Sequence, residues 1–361
     1  MTADLATAHQ QPRVAFVWHG LPAYGAHLIR GAIDTNRAAI SVVATRPPFP
    51  VAPVDHILPH IIQWHDARHP IPWSRATEGM PDLAIVTGWG FPFCQRLARE
   101  AAAAGVPVVM MSDNRWRGDF RQWCGKLLFP ILFKNRFRGA WVPGASGGKL
   151  LREFGMQDEQ IFTGLYGCNP AVFRPAVPLS SRGKKIVFVG KMDARKGVDI
   201  LIKAFSESGL AREGWELQTF GSGPLSHLAA GQPGVRHHDF SPPDVISRAV
   251  GDSRIFVMPS RDDNWPIALH EGAASGCLLL TTTAVGSCND LIGPANGVVV
   301  EPGDAPALAT GLRSLAAIPS SQLPAAEAES LAKAGGFGPG AFAASFERIC
   351  DQFLPALGHD R

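Results

Sequence analysis

Two stretches of the sequence place charged residues and glycines where they could hold a phosphorylated ligand. The first is Ile186–Phe205, IVFVGKMDARKGVDILIKAF. An apolar run ends at Val189, Gly190 turns the chain, and Lys191 and Lys196 bracket a loop before a helical pattern starts near Gly197. Glycine lets the backbone approach a ligand closely. Two ammonium groups beside the free N–H groups of a helix end suit a diphosphate. The same loop could instead expose two solvated lysines, because short glycine loops are common. The second stretch is Met258–Thr283, MPSRDDNWPIALHEGAASGCLLLTTT. Pro266 suits the first turn of a helix, whose N–H groups would point at Asp263, Asn264 and Trp265. Asp263 stands before that helix and Glu271 inside it. Carboxylates accept hydrogen bonds from paired hydroxyls such as those of a ribose or hexose. Their plainer roles are an N-cap and a solvated helix face.

The first half offers less pointed chemistry. His19 and His27 are candidates for polar contacts after the first apolar run, although a lone histidine serves a core or surface hydrogen bond just as well. Arg115–Arg138, RWRGDFRQWCGKLLFPILFKNRFR, holds seven basic residues and one acidic one among its aromatics. Trp116, Phe120, Trp123 and Leu127 are spaced as one helical face, and Pro130 should break or restart that helix. Cations beside an aromatic face suit the surface of an anionic membrane, with Arg115, Trp116, Arg117, Arg121, Trp123 and Lys126 as the contacts. The alternative is that the aromatics pack on the domain and the arginines are solvated. Interleaved cations and aromatics could also bind nucleic acid, but no nucleic-acid motif accompanies them, so no such partner is expected.

These residues need elements to position them. The chain has 361 residues, 46% hydrophobic and 18% charged, which suits about two domains and excludes a disordered chain. Short apolar runs alternate with helical patterns from end to end, the mark of doubly wound α/β architecture with buried parallel strands. Strands are expected at Val14–Trp18, Ile40–Thr45, Leu83–Thr87, Val106–Met111, Ala140–Val142 and Gln160–Leu165, then from Lys185–Val189 onward. The proline-rich segment 169–184 interrupts the rhythm and reads as a linker. It separates residues 1–168 from 185–340, and a terminal helix over 341–361 is expected to pack back on the first domain. Net charge is +3 overall. The first 183 residues carry a surplus of seven positive charges and the remainder a deficit of four, which suggests an anionic surface or ligand on the first half. No apolar run reaches the ~20 residues of a membrane span, and the N-terminus shows no secretory pattern. The six cysteines stand apart, without a C-x-x-C pair. Both features favour a cytoplasmic, reducing setting over a disulfide framework or a structural zinc site.

From Lys185 to about Ala317 the chain resembles the nucleotide-sugar-binding half of retaining GT-B glycosyltransferases of the family-4, group 1 type. The matching motifs run in order: Val189-Gly190-Lys191, Lys196-Gly197, Gly221-Ser222-Gly223-Pro224, Pro259-Ser260, Asp263 to Glu271, Ala273 to Gly276, and Gly286-Ser287 with Asp290. Asp263 stands where the family has glutamate, and Lys191 where it has arginine. The resemblance implies two Rossmann-like domains facing across a cleft. It implies that Lys191 and Lys196 hold the diphosphate, Gly221–Gly223 pass near the nucleobase, Glu271 binds the ribose, and Asp263 with the backbone of Asn264–Pro266 meets the transferred sugar. It also implies transfer with retention to a saccharide or lipid-linked acceptor. No metal or other cofactor is expected, since the doublet Asp262-Asp263 lacks the oxygen cage that a magnesium ion needs. In the first half, HGLPAYGAH, with His19, Gly20, Gly25 and His27, would be the loop closing over the reaction centre. Ser112-Asp113-Asn114 follows the strand where the family often has histidine. Asp113 could be a base or an acceptor ligand there, or simply cap the loop. A nucleotide-sugar epimerase or a non-catalytic subunit of a paired transferase remains the alternative.

Overall fold

The β-branched and apolar runs form two all-parallel sheets. The computed structural model describes residues 11–46, 54–59, 61–66, 68–69, 71–133 and 135–354. The first sheet contains β1 (Arg13–Trp18), β2 (Ala39–Thr45), β3 (Ile62–His65), β4 (Leu83–Thr87), β5 (Val108–Met111), β6 (Gly139–Trp141) and β7 (Ile161–Phe162), in the order β3-β2-β1-β4-β5-β6-β7. The second contains β8 (Lys185–Val189), β9 (Glu216–Phe220), β10 (Val235–His238), β11 (Ile255–Met258), β12 (Leu278–Thr282) and β13 (Gly297–Val300), in the order β10-β9-β8-β11-β12-β13. Both orders reverse direction beside their first strand, between β1 and β4 and between β8 and β11. In doubly wound sheets, ligands bind outside the carboxyl ends of the strands at that reversal. The loops picked out by sequence lie there: His19-Gly20 follows β1, Gly190-Lys191 follows β8, and Pro259-Ser260 follows β11.

Departures from the sequence reading occur where polarity or length hides an element. β3, IQWH, has no apolar run and was not foreseen. The strand expected over Gln160–Leu165 shortens to Ile161–Phe162 at the sheet edge. Pro130 does not break its helix, which runs from Phe120 to Phe133. Proline removes one N–H from the helical ladder, and the strong apolar helix formers around it carry the helix through. Trp116 precedes this helix, so its exposed face continues instead as Phe120, Trp123, Leu127 and Ile131.

The segment 169–184 is anchored rather than free. Arg182 is buried and donates to the carbonyls of Val177, Ser253 and Ser275, with Glu327 as its ionic partner at 3.3 Å. A buried guanidinium needs that full set of acceptors. The terminal helix Pro339–Phe353 crosses to the first sheet; the remainder of the stretch, 355–361, lies outside the described residues. Phe342 and Phe346 lie in the core around Phe16, and Phe342 stacks on Trp141 with ring centres 4.1 Å apart. Phe342→Ala should therefore destabilise the first domain by about 3–5 kcal/mol. Urea unfolding would read this as a lower midpoint, and an unchanged midpoint would mean that the helix does not hold that core. All six cysteines are free, and no helix among the described residues is long and apolar enough to cross a membrane.

Candidate active site

The loop from Gly190 to Gly197 is folded against its neighbours by backbone bonds. Gly190 N donates to Phe220 O at 2.9 Å, and Met192 N donates to Ser222 O at 3.1 Å. One glycine of the loop and one of its neighbour after β9 are forced. Gly221 has φ +135° and Gly197 φ +74°, and a Cβ on either would strike the carbonyl of Gly190 or Pro259. A cavity of about 650 Å³ opens here. Gly190, Lys191, Gly221, Ser222 and Phe240 line it. Gly223 lies outside this lining and donates instead to Ser226 Oγ at 3.2 Å.

The two lysines differ in a way that spacing could not show. Lys191 is exposed, with its ammonium 3.8 Å from Asp193. Lys196 is nearly enclosed and pairs with Asp263, which also accepts from Ser260 Oγ at 3.4 Å. Asp263 is thus turned inward onto a cation rather than left free toward a sugar, because a largely buried carboxylate and ammonium within reach stabilise each other. A third cation was overlooked. Arg195 donates to Asp262 O at 2.9 Å and lies 3.9 Å from Asp263. Its signal was present as the arginine between the two lysines of KMDARK.

Pro266 sits at the cap position rather than in the first turn, and the helix runs Ile267–Ala274. Trp265 is buried against Phe337, with ring centres 4.9 Å apart, so only its backbone can meet a ligand. Glu271 lies within the helix with no hydrogen-bond partner for its carboxylate among the described residues, and burial pushes its carboxyl up to about 7.

The first domain faces this arrangement across the cleft. Asp113 follows β5, where burial and the opposing Asp263 raise its carboxyl while Arg117 lowers it. Tyr24 and Tyr166 meet edge to face beside it, with ring centres 5.5 Å apart. Asp113, Asn114 and Thr87 line one end of a second cavity of about 660 Å³. His19 stacks on Phe91 at 4.0 Å and meets Thr45 Oγ1 through Nδ1 at 3.2 Å, while Gly20 N donates to the same hydroxyl at 2.8 Å. The expected closing loop is shorter than read. A helix begins at Ala23, so Gly25 and His27 are helical, and burial, with His56 nearby, lowers the pKa of His27. At Gly25 the missing Cβ lets the helix pack close against Trp18 and Leu21.

Two proposed membrane contacts are redirected. Arg115 donates to Asp262 at 3.0 Å, and Arg117 grips the same carboxylate at 3.1 and 3.2 Å while donating to Asn264 Oδ1 at 2.7 Å. A bidentate guanidinium–carboxylate pair fixes geometry as well as charge, so these arginines join the two domains rather than face lipid. Asp290 adds to the seam by accepting from Ala145 N at 3.2 Å. Trp116 packs on Trp123 and Phe154, and Lys126 pairs with Glu153 at 2.8 Å. Trp123 and Arg121 remain exposed.

Residues 183–317 match the model of the family described as glycosyl transferases group 1. A curated relative, an uncharacterized glycosyltransferase of Methanocaldococcus jannaschii, is 26% identical over 147 residues, which are 39% of this chain and 37% of that protein. Among solved structures, a glycosyltransferase from Rickettsia africae superposes with a TM-score of 0.75 at 15% identity, covering 96% of this chain and 99% of its own. Anabaena Alr3699/HepE in complex with UDP superposes at 0.70 and 13% identity, covering 94% and 100%. The architecture is GT-B, two doubly wound sheets of seven and six strands with interleaved helices. The group 1 glycosyltransferase match covers β8 to β13, the part that holds Lys191, Arg195, Lys196, Asp263 and Glu271.

Proposed function

We propose that this protein is a retaining, metal-independent glycosyltransferase that moves a sugar from a UDP- or GDP-type donor to a hydroxyl of a saccharide or lipid-linked saccharide. The observation that carries this reading is the placing of Lys191, Arg195 and Lys196 in the loop after β8, with Arg195 and Lys196 on Asp263 beside the end of β11 and Asp113 near it across the cleft. The nucleotide that HepE binds supports UDP as the carrier.

The cavity beside Gly190 and Gly221 takes the base, and Glu271 takes the ribose hydroxyls. The diphosphate lies among the three cations and the N–H groups that open the Ile267–Ala274 helix. As the bond from the anomeric carbon to the diphosphate oxygen breaks, negative charge grows on the leaving group, and fixed cations are worth most at that moment. The acceptor oxygen forms the new bond on the same face, and its proton passes toward the departing diphosphate. Asp113 holds the acceptor hydroxyl. Asp263 fixes the Lys196 ammonium rather than attacking. The reaction serves surface polysaccharide or lipopolysaccharide assembly on the cytoplasmic side of the membrane. The exposed apolar face of the Phe120–Phe133 helix supports a peripheral position there.

A thermal-shift panel tests the donor. A ligand at a hundred times its Kd adds about 2.7 kcal/mol of stability, so UDP- or GDP-sugars should raise the melting temperature by several degrees without added metal. A rise with NAD alone, or with no nucleotide-sugar, would overturn the assignment. Transfer by the purified chain to supplied acceptor, with an unchanged anomeric configuration by NMR, would exclude both a non-catalytic subunit and an epimerase.

A further inference from the structure

The cavity beside Asp113 changes character between its walls. Thr87, Asp113 and Asn114, at the carboxyl ends of β4 and β5, give it a polar wall, and Leu128, Phe129, Leu132 and Phe133 of the Phe120–Phe133 helix give it an apolar one. One helix supplies much of that contrast. Arg121 and Gln122 sit on its first turn and the four apolar residues on its later turns. At 1.5 Å per residue, the distance from Arg121 to Leu132 is about 16 Å. The cavity also does not end within the protein. Leu128 and Leu132, which line it, are both about half exposed and continue into an apolar surface formed by Phe120, Trp123, Leu127 and Ile131. A contiguous exposed apolar surface of this kind marks an interaction site. Arg121 lines the cavity at the junction and makes no ion pair among the described residues, whereas Asp119, on the same wall, already accepts from Gln122 N at 2.8 Å.

We propose that the acceptor is an amphiphile: its polar head enters the Asp113 end, an anionic link meets Arg121, and its aliphatic tail lies along Leu128 and Leu132. This deepens the glycosyltransferase reading and rests on it. A purely saccharide acceptor would leave the apolar wall of the cavity without a role, whatever the surface beyond it touches. A second copy of the chain laid on the helix would cover the surface but leave the continuous cavity empty. An alkyl tail occupies both, and a phosphate between tail and head matches the uncommitted guanidinium.

The probe is decyl phosphate below its micelle-forming concentration, titrated calorimetrically into the full chain, with inorganic phosphate as the control. Decyl phosphate should saturate one site at least tenfold more tightly than inorganic phosphate. The double substitution Leu128→Glu/Leu132→Glu, at half-exposed positions, should weaken it at least tenfold, and Arg121→Ala severalfold. None of these should alter the thermal response to a nucleotide-sugar. Equal affinity for the two probes, or a double variant that binds as the parent does, would overturn the proposal. So would sedimentation showing a dimer that the double variant abolishes, with no decyl phosphate bound. An intact nucleotide-sugar response alongside any of these sinks the amphiphile alone, whereas a parent protein without that response sinks the transferase reading.

Discussion

Lys196→Ala should abolish the thermal response to nucleotide-sugars and lower kcat/KM by about 10²–10³, the usual loss when one fixed charge-stabilising group is removed. The variant should also lose stability on its own account. Lys196 and Asp263 are largely enclosed, and stripping one partner from such a pair leaves an uncompensated charge that costs ~3 kcal/mol. A drop in melting temperature alone would therefore be ambiguous. The double substitution Lys196→Ala/Asp263→Asn separates the two roles: removing the orphaned charge should recover most of the lost stability without restoring the nucleotide response. If the double variant again responds to nucleotide-sugars, Lys196 is a structural residue and the diphosphate lies elsewhere.

Glu271 should make donor binding depend on pH. Its carboxyl is held up to about 7 against an ordinary value of 4.5 by burial. The folded protein therefore keeps a proton that the unfolded chain releases between those values. Stability from this group is full below pH 4.5 and is lost as pH rises toward and through about 7, with a slope of at most ~1.4 kcal/mol per pH unit. Glu271→Gln removes that slope, so the advantage of the variant over the parent in melting temperature should grow across this window. Ribose hydroxyls donate to the ionised carboxylate, so affinity for a nucleotide-sugar should rise about tenfold between pH 6 and pH 8 in the parent and stay flat in Glu271→Gln. A nucleotide-sugar is the better ligand here than a free diphosphate, whose terminal phosphate titrates near pH 6. A flat profile in the parent would remove Glu271 from the ribose site.

The sequence exposed those parts of the molecule that local pattern determines. Both sheets were legible because a buried parallel strand must be apolar on both faces, and Val14–Val17 or Ile255–Met258 can be little else. The turns after β8 and β11 were legible as turns because glycine and proline end an apolar run. What stayed hidden depends on distance between residues far apart in the chain. Arg117 and Asp262 are 145 positions apart, and nothing local distinguishes a guanidinium that crosses a cleft from one that faces water. The inward turn of Asp263 onto Lys196 is hidden for the same reason, as is the burial that raises Glu271. β3 was missed because an edge strand with one covered face need not be apolar, and the helix start at Ala23 because glycine and histidine suggested a loop.

The last helix lends a different meaning to the order of the chain. Phe342 and Phe346 complete the interior of the half that is synthesised first. On the ribosome, that half emerges with an open seam that is closed only after the other half has been made. The polypeptide also passes between the halves twice, out through 169–184 and back ahead of Pro339. Two such tethers permit a hinge but resist separation. Any relative motion of the two halves is therefore constrained at both crossings at once.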